Sequence, residues 1–237
     1  MVKERGKTGP SSKPRVLVSG AAGYVGATLC NYLVRRGYDV TGIDCYRYGD
    51  DVANKLPKKV HFYREDLYDP KLVRFILDKH KPDVVVHCAY DLRNGNNWVG
   101  FEYNTVSTLR FFERLAEAKI TKVINISSAA VYGNGSYTNN KVIRPLKPVN
   151  KYGVSKLIVE GLVRELFPKG VSLRLFNVYG SAYRVKRANK SVIEVLQSLD
   201  PKKDTFHAFS KTNYTRDYVH VLDVCSAIEL TIGKFYK

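Results

Sequence analysis

The sequence predicts an α/β fold, a doubly wound parallel sheet with helices on both faces, and three observations predict it. Short apolar runs alternate with amphipathic stretches from residue 15 to about residue 175. The runs are too short for buried helices, and the first ends in glycines that open the stretch after it. At 237 residues and 44% apolar content, the chain is long enough to bury one full core.

A basic lead-in containing Pro, Ser and Gly covers residues 1–14. RVLVS at 15–19 reads as a buried strand, and 27–36, with Leu29 and Leu33 on one face, as a helix stopped by Gly37. Strands at 39–43 and 61–63, a helix at 70–80 and the buried strand DVVVHC at 83–88 follow. A helix over 104–119, a strand over 122–126, a polar excursion over 132–149, a helix over 152–166 and a strand over 171–175 complete the alternation. Past Asn177 the pattern loosens into the basic stretch YRVKRANK, a helix over 191–199, a Pro-Lys-Lys-Asp turn and a last helix over 222–232. The expected division is a dinucleotide domain over 15–177 and a small, shortened substrate lobe over 178–237 that returns to the first domain.

Gly20, Gly23 and Gly26 sit between the first strand and the first helix, the context in which a glycine triplet carries information. The first glycine permits the tight turn, the second lets backbone approach a pyrophosphate, and the third lets helix pack on strand. Tyr24 and Val25 lie within the motif. Asp44, 24 positions after Gly20 at the end of the second strand, suits the adenosine ribose hydroxyls and repels a 2′-phosphate. The fold is therefore read as Rossmann-type and the cofactor as NAD rather than NADP, with Arg47 nearby a counter-indication.

Tyr152 and Lys156 stand four apart on one predicted helix and so share a face. An adjacent ammonium favours a phenolate, which makes the pair a proton relay. Such a spacing arises by chance in a chain with 17 tyrosines. Ser128, at the C-terminal edge of the preceding strand, gives it weight, because that edge meets the cofactor crevice. Ser127, Tyr132 and Ser155 are candidates for the same cleft, with packing or loop capping their first reading.

The formal charge of +17 invites a nucleic-acid partner, but the basic residues are scattered along the chain and form no single cluster. Four cysteines show no CxxC pair and the histidines no metal-ligand spacing, so no metal is expected. With no apolar leader and no long apolar run, the expectation is a soluble cytoplasmic protein with no membrane partner.

SGAAGYVG at 19–26, Asp44, Glu65-Asp66-Leu67, VVVHCA at 84–89, the stretch around Asn104, SSAAVYG at 127–133, YGVSK at 152–156, LRLFNVYG at 173–180 and RDYVHVLDV at 216–224 form a specific set. Together they resemble the extended short-chain dehydrogenase/reductases, and within these the UDP-glucose 4-epimerase group of nucleotide-sugar enzymes. The resemblance implies Asp66 and Leu67 at the adenine, Ala89 and Asn104 along the nicotinamide half, and Lys156 at the nicotinamide ribose. It also implies Phe176 beside the nicotinamide, and Asn177 and Arg216 at the diphosphate of a nucleotide sugar, a role that suits a guanidinium.

Ser128, Tyr152 and Lys156 are then the catalytic set, with Ser128 also touching substrate. Dehydratases of this kind place an acidic pair where Ala129 and Ala130 stand here, so epimerisation at C4 through a 4-keto sugar is the first expectation. A 4-keto-sugar reductase and a non-catalytic dinucleotide-binding regulator or scaffold are the alternatives. The segment after Ala89, Tyr90-Asp91-Leu92-Arg93-Asn94, lacks a lysine that epimerases tend to carry. The resemblance further implies a homodimer through the helices at 104–119 and 152–166, with Phe111, Phe112, Leu115, Leu157, Ile158 and Leu162 supplying apolar surface, some of which must face their own sheet.

Overall fold

The computed structural model describes residues 13–46, 56–92, 96–134, 146–180, 192–200, 205 and 216–236. Most of the lead-in, Arg47, Arg93, Asn94, residues 135–145 of the polar excursion, all of YRVKRANK with Ser191, and the Pro-Lys-Lys-Asp turn lie outside the described residues.

Six strands, β1 (Arg15–Ser19), β2 (Asp39–Asp44), β3 (His61–Arg64), β4 (Val84–His87), β5 (Lys122–Ser128) and β6 (Lys169–Leu175), form one sheet in the order β3-β2-β1-β4-β5-β6. Every pairing is parallel, with Val16 opposite Val40 on one side and Val84 on the other. The strand order reverses between β1 and β4, which opens a crevice beyond their C-terminal ends.

Alternation along the strands divides the core in two. Val16, Val18, Val84, Val86, Ile124 and Ile126 point to one face, where α1 (Tyr24–Arg35) contributes Leu29, Cys30 and Leu33. Leu17, Val85 and Val123 point to the other, where α2 (Pro70–His80), α3 (Trp98–Glu117) and α4 (Lys151–Leu166) bring Ile76, Phe112 and Val159. Each such side chain, taken from water, contributes about 1.5–3 kcal/mol.

Side-chain caps set the helix starts on that second face. Asp69 accepts from the N–H groups of Lys71 and Leu72 ahead of α2, Asn97 from Gly100 ahead of α3, and Asn150 from Gly153 ahead of α4. Each cap is worth about 1 kcal/mol. The Asn97 cap starts α3 six residues before the expected 104. Trp98 and Val99 in its first turn are 71% and 75% exposed, so apolar periodicity does not reveal that turn. Phe111, Phe112 and Leu115 are fully buried against their own sheet, so they are among those that face it and not an intersubunit surface.

Two further strands were not anticipated: β7 (Asn177–Tyr179) pairs in parallel with β8 (Tyr218–His220). Between them α5 (Val192–Ser198) matches the expected helix within a residue. Directly after β8, α6 (Val221–Lys234) buries Val224, Cys225, Ile228 and Ile232 in the same core as Val16 and Leu29. The last helix is thus part of the sheet's own packing, fastened to α1 by Glu229, which accepts from Tyr32 at 3.2 Å and pairs with Arg36 at 3.1 Å.

Candidate active site

The glycine turn is shaped by close approach. Gly20 has φ of +71°, and a Cβ there would lie 2.6 Å from the Ala89 nitrogen on the neighbouring strand end. A Cβ on Gly26 would run into the Gly20 carbonyl oxygen. Gly23 precedes α1 and offers no side-chain cap, so the first N–H groups of that helix are not taken up by a capping side chain. A helix N-terminus in that condition favours phosphate.

Asp44 is tied into this turn, accepting from Ala22 N–H at 2.9 Å and Tyr46 N–H at 2.8 Å. Burial pushes its carboxyl up, and the N–H groups of Tyr46, Ala22 and Gly23 pull it back towards the ionised form. Gly20, Gly23, Asp44, Asp66, Leu67, Ala89 and Asn104 line one cleft, so seven of the expected cofactor residues do converge. Tyr24, Val25 and Gly26 form the first turn of α1, where Tyr24 donates its phenol to the Gly180 carbonyl at the end of β7.

Two of these side chains are engaged within the protein. The Asn104 amide accepts from Asp91 N–H at 2.7 Å and donates to the Gly100 carbonyl at 2.7 Å and the Asp91 carbonyl at 3.2 Å. Its role here is to pin the segment after β4. Asp66 accepts the Tyr103 hydroxyl at 2.9 and 2.7 Å on its two oxygens, a partner that the sequence did not single out. Beneath them His87 bridges Ser19 at 2.7 Å and Thr108 at 3.2 Å. Burial pushes its imidazole down to about 3, so it is a neutral brace.

The reactive end starts where β5 stops. Ser128 accepts from Ala130 N–H at 3.2 Å, opening a 3-10 turn over Ala129–Tyr132, and its side chain acts on the Tyr152 phenol in the direction of the ionised form. Tyr152 stands in the first turn of α4 and Lys156 one turn later, with Lys156 buried at 6% exposure. Burial raises the Tyr152 phenol, partly opposed by the Ser128 side chain. The Lys156 ammonium is held by main chain. Its Nζ donates to the Ile126 carbonyl at 2.9 Å and lies 5.9 Å from the Tyr152 ring centre, and burial pushes it down to about 8.

Tyr90 lies between the two ends. Its ring centre is 4.6 Å from the Lys156 Nζ and 5.0 Å edge-on from the Tyr152 ring, and its hydroxyl is 2.9 Å from that of buried Ser155. Tyr90 lines the cleft, whereas Ser128, Tyr152 and Lys156 do not. Its position at the carboxyl end of a parallel strand is the signal that could have drawn attention to it.

Other candidates make contacts within the protein. Ser127 donates to Glu160 at 2.6 Å, Arg174 pairs with both Glu160 oxygens, and Arg174 donates to the Tyr132 hydroxyl at 3.2 Å. Phe176 stacks on Tyr132 at 6.3 Å. Asn177 donates its amide to the Asp217 carbonyl at 3.0 Å, which sets it beside the residue following Arg216.

The match to known proteins decides the family. Residues 16–236 match the family model described as NAD dependent epimerase/dehydratase. The chain belongs to that family. A UDP-glucose 4-epimerase of Azospirillum brasilense is 30% identical over 94% of this chain and 69% of its own length. A dTDP-D-glucose 4,6-dehydratase of Dictyostelium discoideum is 28% identical over 93% and 56%. The solved UDP-glucose 4-epimerase of Thermus thermophilus, in complex with NAD, superposes with a TM-score of 0.74 at 27% identity, covering 92% of this chain and 74% of that one.

As a member of the NAD dependent epimerase/dehydratase family the chain is an enzyme with NAD as its cofactor, and its residues fit that group. The turn at Gly20 and Gly26 has no room for a Cβ, Asp44 is anchored in its carboxylate position, and no side chain caps the adjoining helix start. Among the described residues no cluster of metal-ligating side chains occurs, and no helix is long and apolar enough to cross a membrane.

Proposed function

We propose that this chain interconverts nucleotide sugars that differ at C4, most simply UDP-hexoses, through a 4-keto sugar. The observation that carries the reading is the end of β5, where Ser128, whose side chain acts on the Tyr152 phenol, is followed by Ala129 and Ala130. Two methyl groups move no protons, so the pair supports oxidation and reduction at one carbinol carbon rather than loss of water. Ser128 and Tyr152 hold the sugar oxygen, and Tyr152 takes its proton and later returns it. Bound NAD supplies the two-electron acceptor and donor for the attached carbon.

In this reading Asp44 takes the adenosine ribose, Asp66 and Leu67 the adenine, and the Gly20–Gly23 turn with Tyr24, Val25 and Gly26 the pyrophosphate. Ala89, Asn104 and Phe176 wall the nicotinamide half, Asn104 through the segment it pins. Asn177 and Arg216 take the substrate diphosphate. Four free thiols suit a reducing cytoplasm. A homodimer would use the half-buried Val106, Leu109 and Leu157 with exposed Ile158, and a monomer in sedimentation at micromolar concentration would count against it.

Incubation with UDP-glucose and UDP-galactose tests the reaction. Interconversion with no net NADH supports the reading, and bound NAD with no turnover sinks it. One observation favours a second reading, a 4-keto-sugar reductase: the raised Tyr152 phenol suits a proton donor. That enzyme would consume one reduced cofactor per product.

A further inference from the structure

We infer that Tyr90 is a positioning residue, whose ring stands between the cofactor cleft and the reactive side chains and withholds Lys156 from Tyr152 until the reactive end of the dinucleotide displaces it. The inference rests on the reading that Ser128 and Tyr152 hold the reacting oxygen.

Oxidation of a carbinol takes a proton from the oxygen and two electrons from the attached carbon. The acceptor ring therefore has to lie in contact with the atom held by Ser128 and Tyr152. A dinucleotide anchored at Gly20 and Asp44 has to pass Tyr90, which lines the same cleft as Asp44 and also touches Tyr152 and Lys156, neither of which lines it. The ring is not idle there. Its face covers the Lys156 ammonium at 4.6 Å, its hydroxyl reaches Ser155 at 2.9 Å, and Tyr152 meets it edge-on at 5.0 Å. Under this cover the ammonium turns away from Tyr152 to the Ile126 carbonyl at 2.9 Å.

Moving the Tyr90 ring breaks the Ser155 hydrogen bond and the ammonium–ring contact together. Lys156 is then free to leave the Ile126 carbonyl and face the cofactor and the phenol. Cofactor affinity is lowered by the fraction of molecules in which the ring is closed.

The test uses the full chain, with NAD itself as the probe in titration calorimetry. Tyr90→Ala should bind NAD about tenfold more tightly than the parent, and Tyr90→Phe, which loses only the Ser155 hydrogen bond, about threefold. In cofactor-free protein near neutral pH, Lys156 should acetylate faster in Tyr90→Ala, read by peptide mass spectrometry. Weaker or unchanged NAD affinity in Tyr90→Ala with a parental unfolding midpoint would overturn the inference and make Tyr90 a fixed wall of the cofactor site. Should Tyr90→Ala fail to fold, Tyr90→Phe decides, and unchanged or weaker binding overturns it. Tighter NAD binding in a protein that turns over no nucleotide sugar would support the role of Tyr90 while removing the proposed activity.

Discussion

Around the glycine turn the surface offered to a ligand is largely backbone, whereas on the far side of Tyr90, around Tyr152, it is made of side chains. The turn at Gly20 is fixed by its positive φ, by a neighbour that a Cβ would strike at 2.6 Å, and by a carboxylate that accepts from Ala22 and Tyr46. Nothing there has to rearrange. At the other end Tyr90, Tyr152, Ser155 and Lys156 hold one another through contacts that a ligand would have to replace. Anchoring thus resides in a rigid part and chemistry in an adjustable one, a division suited to a ligand bound at one end before the other is in place.

Substitutions can break this comparison. The largest effect is expected from Tyr152→Phe, which should cut turnover about 10²- to 10⁴-fold with NAD affinity nearly unchanged in calorimetry. A matching loss of NAD affinity would show that the two ends are not separable. Gly26→Ala attacks the rigid end, since its methyl must displace the Gly20 carbonyl. It should lower unfolding free energy by about 3 kcal/mol in denaturant titration and abolish tight NAD binding.

A pH experiment probes the adjustable end. Lys156 is pushed down to about 8 from 10.5. Between those values the unfolded chain binds the proton that the folded chain has lost, so this group makes stability rise with pH across the window. Relative to Lys156→Met, the parent should gain about 2–3 kcal/mol between pH 8 and 10.5, and parallel profiles would mean that the buried ammonium is not strained. Asp44→Asn should weaken NAD binding about tenfold while narrowing the preference for NAD over NADP, measured by competitive titration. Smallest of all, Asp83→Ala removes the carboxylate that accepts from Arg15 at the far end of β1. Both partners are exposed, so a loss of roughly 0.5–1 kcal/mol with no change in NAD affinity is expected in denaturant and calorimetric titrations.

The same division explains what could be read from the sequence. Short apolar runs such as VLV and VVV, flanked by amphipathic helices, carry the parallel sheet through simple packing, and glycine spacing carries the turn because it is a backbone property. β7 and β8 escaped because three residues hold too little alternation to read, and because partners such as Val178 and Val219 are some forty positions apart. Which of the apolar residues on α3 and α4 face their own sheet is settled only by the packing, which buries Phe111 and Phe112 there, because an apolar helix face does not say which neighbour covers it. Ser128, Tyr152 and Lys156 were found by spacing, but the direction of the Lys156 ammonium depends on Tyr90 and Ile126, which local patterns do not bring together.

The placing of α6 bears on how the chain is made. Cys30 and Leu33 of α1 share their core with Ile228 and Ile232, nearly two hundred positions later. On a ribosome adding 5–20 residues per second, that apolar face stays bare for roughly ten to forty seconds before its cover exists. The nascent chain therefore carries a long-lived sticky stripe, and slowing or stalling translation shortly before α6 is made should expose it to chaperones and to aggregation.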